Sequence, residues 1–344
     1  MDARPTSRTM EHPMPKRDSL IAATALAFLS AMTAWSKETP PVLTLERSIP
    51  LPGVEGRIDH MVLDAEGKRL LVAALGNGSV EVVDLKSGSV VHRFESLAEP
   101  QGVGILPKTG RMAVACGGDG TLRLYDGTTY EAAEKLALGE DADNVRVEAH
   151  TGRLFVGYGG GGLAIVEKGK VVAKIPLSGH PEAFELETKG TRVFVNVPPS
   201  GQVAVIDRAT NKVVATWDVT LAKSNYPMAL DEEHHRLFLG CRAPARLLVL
   251  DTESGKTVAN VESVGDVDDV YYDAASKRLY VSGGGDAIDV LEQTDADHYR
   301  VTSHVETAAG ARTSLYVPGE KRIYLAVPHR GKQRAEIRVY SITG

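Results

Sequence analysis

The sequence predicts an all-β fold, a seven-bladed β-propeller, and three observations lead to it. First, the stretch 192–217 contains three short β-branched runs, at 192–197, 203–207 and 213–217, separated by Pro-Ser-Gly and Ala-Thr-Asn turn segments. Second, the Arg that opens this stretch recurs before an apolar run at Arg69, Arg111, Arg153, Arg192, Arg236, Arg278 and Arg322. Third, these anchor arginines are 42, 42, 39, 44, 42 and 44 residues apart. A period near 40 with four short strands is typical of a propeller blade.

Ring closure is also predicted from the pattern. The last repeat has strand-like runs at about 313–318, 322–327 and 334–341, and no fourth run before Gly344. Residues 41–51 resemble the outer runs of other repeats, such as 89–94. We therefore expect 41–51 to complete the last blade, because closure removes the unpaired interface between the first and last blades.

Residues 1–36 are expected to be a signal peptide rather than part of the fold. Lys16 and Arg17 precede an apolar run at 20–29, and Ala34 and Ser36 are small residues at the two cleavage positions. Met14 is an alternative start, and an uncleaved N-terminal anchor is the alternative interpretation. The mature chain, 37–344, would be a single propeller without a transmembrane segment, exported to the periplasm or secreted.

Composition narrows the possible partners. Without residues 1–36 the formal charge changes from −6 to −7, because that segment holds four Lys/Arg and three Asp/Glu. An acidic chain without a basic stripe does not suit nucleic acid. Cys116 and Cys241 each follow an anchor arginine by five residues, three blades apart, so we expect two small buried residues rather than a disulfide.

The stretch at 192–217 also carries a family resemblance. Its segments 194–196 (Phe-Val-Asn), 205–207 (Val-Ile-Asp) and 210–216 (Thr-Asn-Lys-Val-Val-Ala-Thr) resemble the YVTN repeat of the bacterial and archaeal YncE-like propellers. The resemblance covers roughly 41–344. It implies the architecture and not a chemistry, because this family has no single activity and no shared catalytic motif.

Motifs of the common enzyme classes do not support a catalytic assignment. The segment 157–162 satisfies G-x-G-x-x-G, but it joins one strand to another, whereas a dinucleotide site needs a following helix. The sequence has no P-loop, no Gly-x-Ser-x-Gly and no His-Glu-x-x-His. Whether the protein is an enzyme therefore stays open.

The repeat predicts where a site would lie. The loops that enter the innermost strands and those that join second to third strands open on one face, so residues ten and nine before each anchor should ring the mouth of the central funnel. The funnel residues so predicted are Arg57, Asp59, His60, Gln101, Asp143, Asn144, His180, Glu182, Asn225, Tyr226, Arg242, Asp268, Asp269, Arg312 and His329.

Converging carboxylates are the most informative feature of this set. Such groups repel one another unless a cation joins them or some of them keep a proton. Oxygen ligands suit calcium or magnesium, whereas adding His60 favours zinc or manganese. Alternatively, the acids are merely the solvated rim of a wet channel, and the arginines pair with them.

Two functions follow as hypotheses. The first is a non-catalytic module that binds a small-molecule ligand or a protein partner through the funnel face. The second is a metal-dependent hydrolase or lactonase-type propeller, with a divalent cation (Ca, Zn or Mn) at the axis and His60 as the base. Some quinone-cofactor subunits resemble the repeat too, but no residue marks a cofactor cradle. The metal ligands in the second hypothesis are drawn from Asp59, His60, Asn144, Glu182 and Asp269.

Overall fold

The computed structural model describes residues 41–64 and 66–343, and within them the chain forms seven four-stranded antiparallel sheets. The predicted seven-bladed β-propeller is therefore confirmed. In each blade the strand that begins at or next to the anchor arginine is the second one. The predicted signal peptide, 1–36, lies outside the described residues. Within those residues, the structure has no helix that is both long and apolar enough to cross a lipid bilayer.

Blades 1 to 6 are each built from four consecutive strands. Blade 1 consists of β2 (Met61–Leu63), β3 (Arg69–Ala74), β4 (Ser79–Asp84) and β5 (Ser89–Phe94). Blade 2 consists of β6 (Pro100–Ile105), β7 (Met112–Cys116), β8 (Thr121–Tyr125) and β9 (Ala132–Ala137). Blade 3 consists of β10 (Ala142–Val147), β11 (Leu154–Tyr158), β12 (Gly162–Glu167) and β13 (Lys170–Pro176). Blade 4 consists of β14 (Phe184–Leu186), β15 (Arg192–Val197), β16 (Gln202–Asp207) and β17 (Lys212–Asp218). Blade 5 consists of β18 (Lys223–Asp231), β19 (Arg236–Ala243), β20 (Ala245–Asp251) and β21 (Thr257–Glu262). Blade 6 consists of β22 (Val267–Asp273), β23 (Arg278–Gly283), β24 (Ala287–Asp295) and β25 (His298–Glu306).

Blade 7 closes the ring as predicted. It joins β26 (Ser314–Val317), β27 (Arg322–Val327) and β28 (Glu336–Ile342) to β1 (Leu43–Pro50), which is its outermost strand. β1 pairs with β28 from Leu43 opposite Ile342 to Pro50 opposite Glu336, so the two ends of the fold share one sheet. Single 3₁₀ turns lie at Leu75–Asn77, Pro198–Ser200 and Pro318–Glu320.

The hydrophobic core lies between neighbouring blades. Leu71 and Val82 of blade 1, for example, pack with Val114 of blade 2, and all three are fully buried. Cys116 and Cys241 belong to such layers as free, buried thiols, as predicted. Burial raises the pKa of Cys116 to about 11 and that of Cys241 to about 12, so neither is a thiolate nucleophile at neutral pH.

The recurring anchor arginine has a structural role in joining blades. Arg69 of blade 1 donates to the carbonyl of Gly127, in the outer turn of blade 2, at 2.7 Å. In the same way Arg192 of blade 4 donates to the Thr252 carbonyl of blade 5 at 2.7 Å, and Arg236 of blade 5 pairs with Asp297 of blade 6. Arg278 of blade 6 likewise donates to the Thr343 carbonyl, whereas the other three anchors pair with acids of their own blades, Arg111 with Glu134, Arg153 with Glu167 and Arg322 with Glu46. The anchors thus have structural partners within or between blades.

The turn chemistry within blades is as the sequence indicates. Asp126, at the end of the third strand of blade 2, accepts from the backbone N–H groups of Thr128 and Thr129 at 2.8 Å. Asp84, Asp207 and Asp251 do the same in their own blades, so these acids are turn formers. The G-x-G-x-x-G segment is the hairpin between β11 and β12 and leads into no helix.

Candidate functional site

The mouth of the funnel is shaped by irregularities in the innermost strands. In four blades the pairing of the first strand with the second shifts by one residue, which leaves the extra residue outside the ladder. Such bulges re-aim side chains and are common next to functional sites. They fall on the positions that the repeat predicts for the funnel mouth, namely between Pro100 and Val103, Ala142 and Val145, Asn225 and Met228, and Val267 and Asp269.

Blades 1, 3 and 4 bring together an acid–histidine cluster, consisting of Asp59, His60, Asp143, His180 and Glu182. His60 Nε2 lies 3.8 Å from Asp143 Oδ1 and 3.9 Å from Asp59 Oδ1. His180 Nε2 lies 3.5 Å from Asp143 Oδ2 and 3.8 Å from Glu182 Oε1. Every member of this cluster was predicted as a funnel residue.

Permanent positive charge is scarce in the acid–histidine cluster. Arg57 pairs with Asp59 at 2.7 Å, but among the described residues the partners of Asp143 and Glu182 within 4.0 Å are histidines only. The Asp143 side chain is 8% exposed, and its Oδ1 atom has no hydrogen-bond partner. A buried polar atom without a partner is costly and requires an explanation.

The carboxyl groups of this cluster titrate abnormally. Burial, followed by the charge of Asp143, raises the pKa of Glu182 to about 8. Burial also raises the pKa of Asp59 to about 6, despite the opposing charges of His60 and Arg57. Burial opposes ionisation of Asp143 too, but its contact with His180 and the charge of His60 outweigh burial and lower its pKa. The cluster thus holds negative charge most firmly on Asp143.

Blades 5, 6 and 7 form an arginine-paired cluster of Tyr226, Arg242, Asp266, Asp268 and Arg312. Arg242 contacts Asp268 at 2.5 Å, and Arg312 contacts the other oxygen of Asp268 at 3.1 Å. Both arginines also contact Asp266, at 3.4 and 3.1 Å. The Arg242 guanidinium lies 3.9 Å from the centre of the Tyr226 ring, a cation–π contact. Two carboxylates here are matched by two guanidinium groups.

The remaining predicted funnel residues make other contacts. Gln101 donates to Asp141 at 2.8 Å, and the Asn144 side-chain oxygen accepts from Arg146 at 3.4 Å. His329 Nδ1 lies 2.6 Å from a carboxylate oxygen of Glu55, outside both clusters.

Two further predicted residues hold the backbone in place. Asn225 is fully buried and donates to Asn196 and to the Gln202 carbonyl, at 2.8 and 3.1 Å. Asp269 accepts from the backbone N–H of Ser314 at 2.7 Å, which ties blade 6 to blade 7. Burial raises the pKa of Asp269 to about 7.

The sequence interpretation missed Asp141, whose Oδ2 lies 3.6 Å from His180 Nδ1. It is twelve residues before its anchor, the repeat position that Arg57, His180 and Asp266 also occupy. Asp141 and Asp266 both have positive φ, 48° and 50°, a conformation that Asp tolerates better than most residues. Comparing the residues that lie twelve positions before each anchor arginine would have identified Asp141 as a funnel residue.

One group of side chains within the described residues has the geometry of a metal site. One ligand atom from each of Asp143, His180 and Glu182 lies within 4.8 Å of the other two. Of the five metal ligands predicted from sequence, only Glu182 belongs to this group. The geometry therefore favours two ligands, Asp143 and His180, that were predicted as funnel residues but not as metal ligands.

Comparison with known proteins identifies the fold only. No family model and no curated protein sequence matches the chain. Among solved structures it is similar to a chain of hydrazine synthase from Kuenenia stuttgartiensis, with TM-score 0.72 and 15% identity over 84% of this chain and 98% of that one. It is also similar to a chain from the mitotic checkpoint complex (TM-score 0.76, 12% identity, 100% of both chains) and to U3-55K (TM-score 0.75, 8% identity, 86% and 98%). At these identities the likeness shows that the chain is a β-propeller.

Proposed function

We propose that this protein is an exported, YVTN-like binding module that takes a positively charged ligand, or the positive group of a protein partner, at its funnel mouth. One observation carries the proposal: within residues 41–64 and 66–343, Asp143 and Glu182 have no guanidinium or ammonium partner, and an Asp143 oxygen has no hydrogen bond. Carboxylates that are mostly buried and converge without a counter-ion favour binding of a cation.

The neighbouring arginine-paired cluster supports this interpretation. In that cluster each carboxylate has a positively charged partner within the protein, because Asp266 and Asp268 pair with Arg242 and Arg312. Thr313 links the two regions by donating to the Ile58 carbonyl and to Asp268, at 3.3 and 3.2 Å. A ligand at the acid–histidine cluster would supply there the charge that the arginines supply next to it.

The test is a thermal-shift and calorimetric titration of the protein with cationic probes, namely putrescine, choline, lysine methyl ester and the chlorides of zinc, manganese and calcium. At least one probe should raise the melting temperature, and Glu182→Gln and Asp143→Asn should abolish that shift. Asp266→Asn, which removes an acid of the arginine-paired cluster, is the matched control and should retain the shift. If no probe binds, or if all three variants respond alike, the proposal fails.

Export is a separate part of the proposal and is supported by the sequence at 1–36. Expression of the full chain in a Gram-negative host should give a periplasmic protein that begins near residue 37, as measured by fractionation and intact mass. A cytoplasmic product that retains residues 1–36 would contradict export without affecting the binding proposal.

The second candidate function is a metal-dependent hydrolase. The observation that favours it is the position of His60, whose side chain is 21% exposed and lies 3.8 Å from Asp143, where it would serve as a base beside a bound ion. Metal-loaded protein should then hydrolyse lactones, esters or phosphodiesters, and His60→Gln should remove turnover while leaving metal binding intact. Absence of turnover over such a panel would leave the binding module as the better proposal.

A further inference from the structure

The geometry points to a specific occupant of the funnel mouth: we infer that Asp143, His180 and Glu182 bind one divalent transition-metal ion. The inference rests on the proposed binding of a cation at this mouth and narrows it to an ion and its ligands. It also replaces four of the five ligands that the sequence suggests, because Asp59, His60, Asn144 and Asp269 are not members of the three-residue group.

The separations between donor atoms suit a common ion. Two ligands about 2.1 Å from one metal at a tetrahedral angle are about 3.4 Å apart. His180 Nε2 lies 3.5 Å from Asp143 Oδ2 and 3.8 Å from Glu182 Oε1. The third separation, between the Asp143 and Glu182 oxygens, is at most 4.8 Å, so side-chain rotations of these two acids would bring all three donors to one ion.

A second, independent observation also points to a ligand. Asp143 is more than nine-tenths buried, yet among the residues that the structure describes its Oδ1 atom accepts no hydrogen bond, and His180 Nδ1 has no hydrogen-bond partner either. In ordinary ion-pair networks such buried atoms are satisfied by neighbouring donors and acceptors. The unpaired Oδ1 belongs to the same buried carboxylate as Oδ2, the atom that faces His180 Nε2, so an ion bound at Oδ2 would neutralise a carboxylate that lacks donors.

The donor set selects the class of metal. One imidazole and two carboxylates, without a thiolate, suit zinc, manganese or cobalt, whereas calcium and magnesium prefer shells composed of oxygen. The side chains of His180 and Glu182 are 19% and 23% exposed, so an ion can enter from the mouth. Three protein ligands leave a position for water or for a ligand atom, as in open metal sites.

The experiment is isothermal titration of the mature protein, first stripped with chelator, using zinc, manganese, cobalt and calcium chloride. We expect one equivalent of transition metal and weaker calcium binding. His180→Gln and Glu182→Gln should each weaken zinc binding by more than about tenfold, the size of the effect expected for ligands and their supporting groups. The control is His329→Gln, which breaks another histidine–carboxylate pair, His329 with Glu55, and should bind metal like the unmodified protein.

A second measurement does not depend on the folding of a variant. Crystals of the unmodified protein soaked in zinc should give an anomalous peak between Asp143, His180 and Glu182. A peak elsewhere, no binding, or equal binding by His180→Gln and His329→Gln would overturn the inference. If metals fail but putrescine, choline or lysine methyl ester binds, the metal inference falls and the cationic-ligand proposal stands; if every probe fails, both fall.

Discussion

The two clusters at the funnel mouth solve the same electrostatic problem in different ways. In the arginine-paired cluster, Asp268 receives a guanidinium on each oxygen, from Arg242 and Arg312. In the acid–histidine cluster, the ion-pair partners within the described part of the chain are His60 and His180 for Asp143, and His180 for Glu182. A guanidinium is always charged, whereas an imidazole gains and loses its charge near neutral pH. The arginine-paired cluster is therefore neutralised by permanent charges, whereas the acid–histidine cluster depends on histidine protonation for most of its positive charge.

This difference separates structural carboxylates from candidate binding carboxylates at equivalent positions of the repeat. Asp268 and Asp143 are both ten residues before an anchor, and both lie at a bulge of an innermost strand. What distinguishes them is the second-to-third strand loop of the neighbouring blade, which supplies Arg242 to Asp268 and no cation to Asp143. The chemistry of a propeller mouth is thus decided between blades rather than within one blade.

The largest expected effect on stability comes from replacing Arg242, the arginine that the second-to-third strand loop of blade 5 supplies to Asp268. Arg242→Gln leaves Asp266 and Asp268 with one guanidinium between them, and breaking a buried pair usually costs about 3–5 kcal/mol. Because these groups are partly exposed, we expect a loss of about 2 kcal/mol in the free energy of unfolding. Urea denaturation measures it.

A matched change at the acid–histidine cluster, His180→Gln in metal-free protein, should cost less, about 1 kcal/mol, because the Gln amide can still donate to Asp143 and His60 stays beside it. Equal losses in both variants would mean that the two clusters do not differ as described.

Replacing one acid in each cluster is expected to change the free energy of unfolding in opposite directions. Metal-free Glu182→Gln should be more stable than the unmodified protein by about 1 kcal/mol at pH 8, because burial and Asp143 disfavour the Glu182 carboxylate in the folded state. Asp268→Asn should be less stable by a similar amount, since it leaves Arg242 and Arg312 without their shared partner. Thermal unfolding in chelator measures both, and a loss of stability in both variants would contradict the comparison.

The sequence predicted the architecture almost completely, because a blade repeats its turns and its anchor arginine. The strands expected at 192–197, 203–207 and 213–217 are found at Arg192–Val197, Gln202–Asp207 and Lys212–Asp218, and 41–51 does close the last blade. Counting back from the anchors also named every member of the acid–histidine cluster, although it missed Asp141 and included His329, which lies outside both clusters. These features are local and periodic, so a single sequence suffices to find them.

The pairing within the mouth was not predictable, because it depends on contacts between blades. Counting back from the anchors cannot say that Arg312 reaches across to Asp266, or that Asp269 turns to the Ser314 backbone rather than to a ligand. It also cannot separate Asn225, an amide whose nitrogen donates to Asn196 and to the Gln202 carbonyl, from Asp143, a carboxylate that lies against two histidines. Side-chain direction at a bulge decides these cases.

Asp269 provides a pH-dependent test within the arginine-rich side of the mouth. Burial raises its pKa in the folded state from 3.8 to about 7, so its contribution is favourable below pH 4 and is lost as the pH rises through 7. Asp269→Asn keeps an oxygen for the Ser314 N–H and removes the charge. We expect it to raise the melting temperature by about 2–4 °C at pH 8, for roughly 1 kcal/mol, and to change it little at pH 4. A rise that is the same at both pH values would show that the charge is not the cause.

The smallest expected effect concerns Arg57, a permanent cation that pairs with Asp59 of the acid–histidine cluster. Its side chain is 46% exposed and pairs with Asp59 at 2.7 Å, so it partly offsets the negative charge that would attract a metal ion. Arg57→Gln should tighten zinc binding about two- to threefold at low salt, the equivalent of about 0.5 kcal/mol, and the gain should shrink in 0.5 M salt as screening increases. The control is Arg300→Gln, which changes the net charge by the same amount. Arg300 lies on β25, the outermost strand of blade 6, and pairs with Glu292 rather than with the acid–histidine cluster. If both variants tighten binding to the same extent, the attraction comes from the charge of the whole protein; if only Arg57→Gln does so, it comes from the carboxylates that the mouth leaves without an arginine.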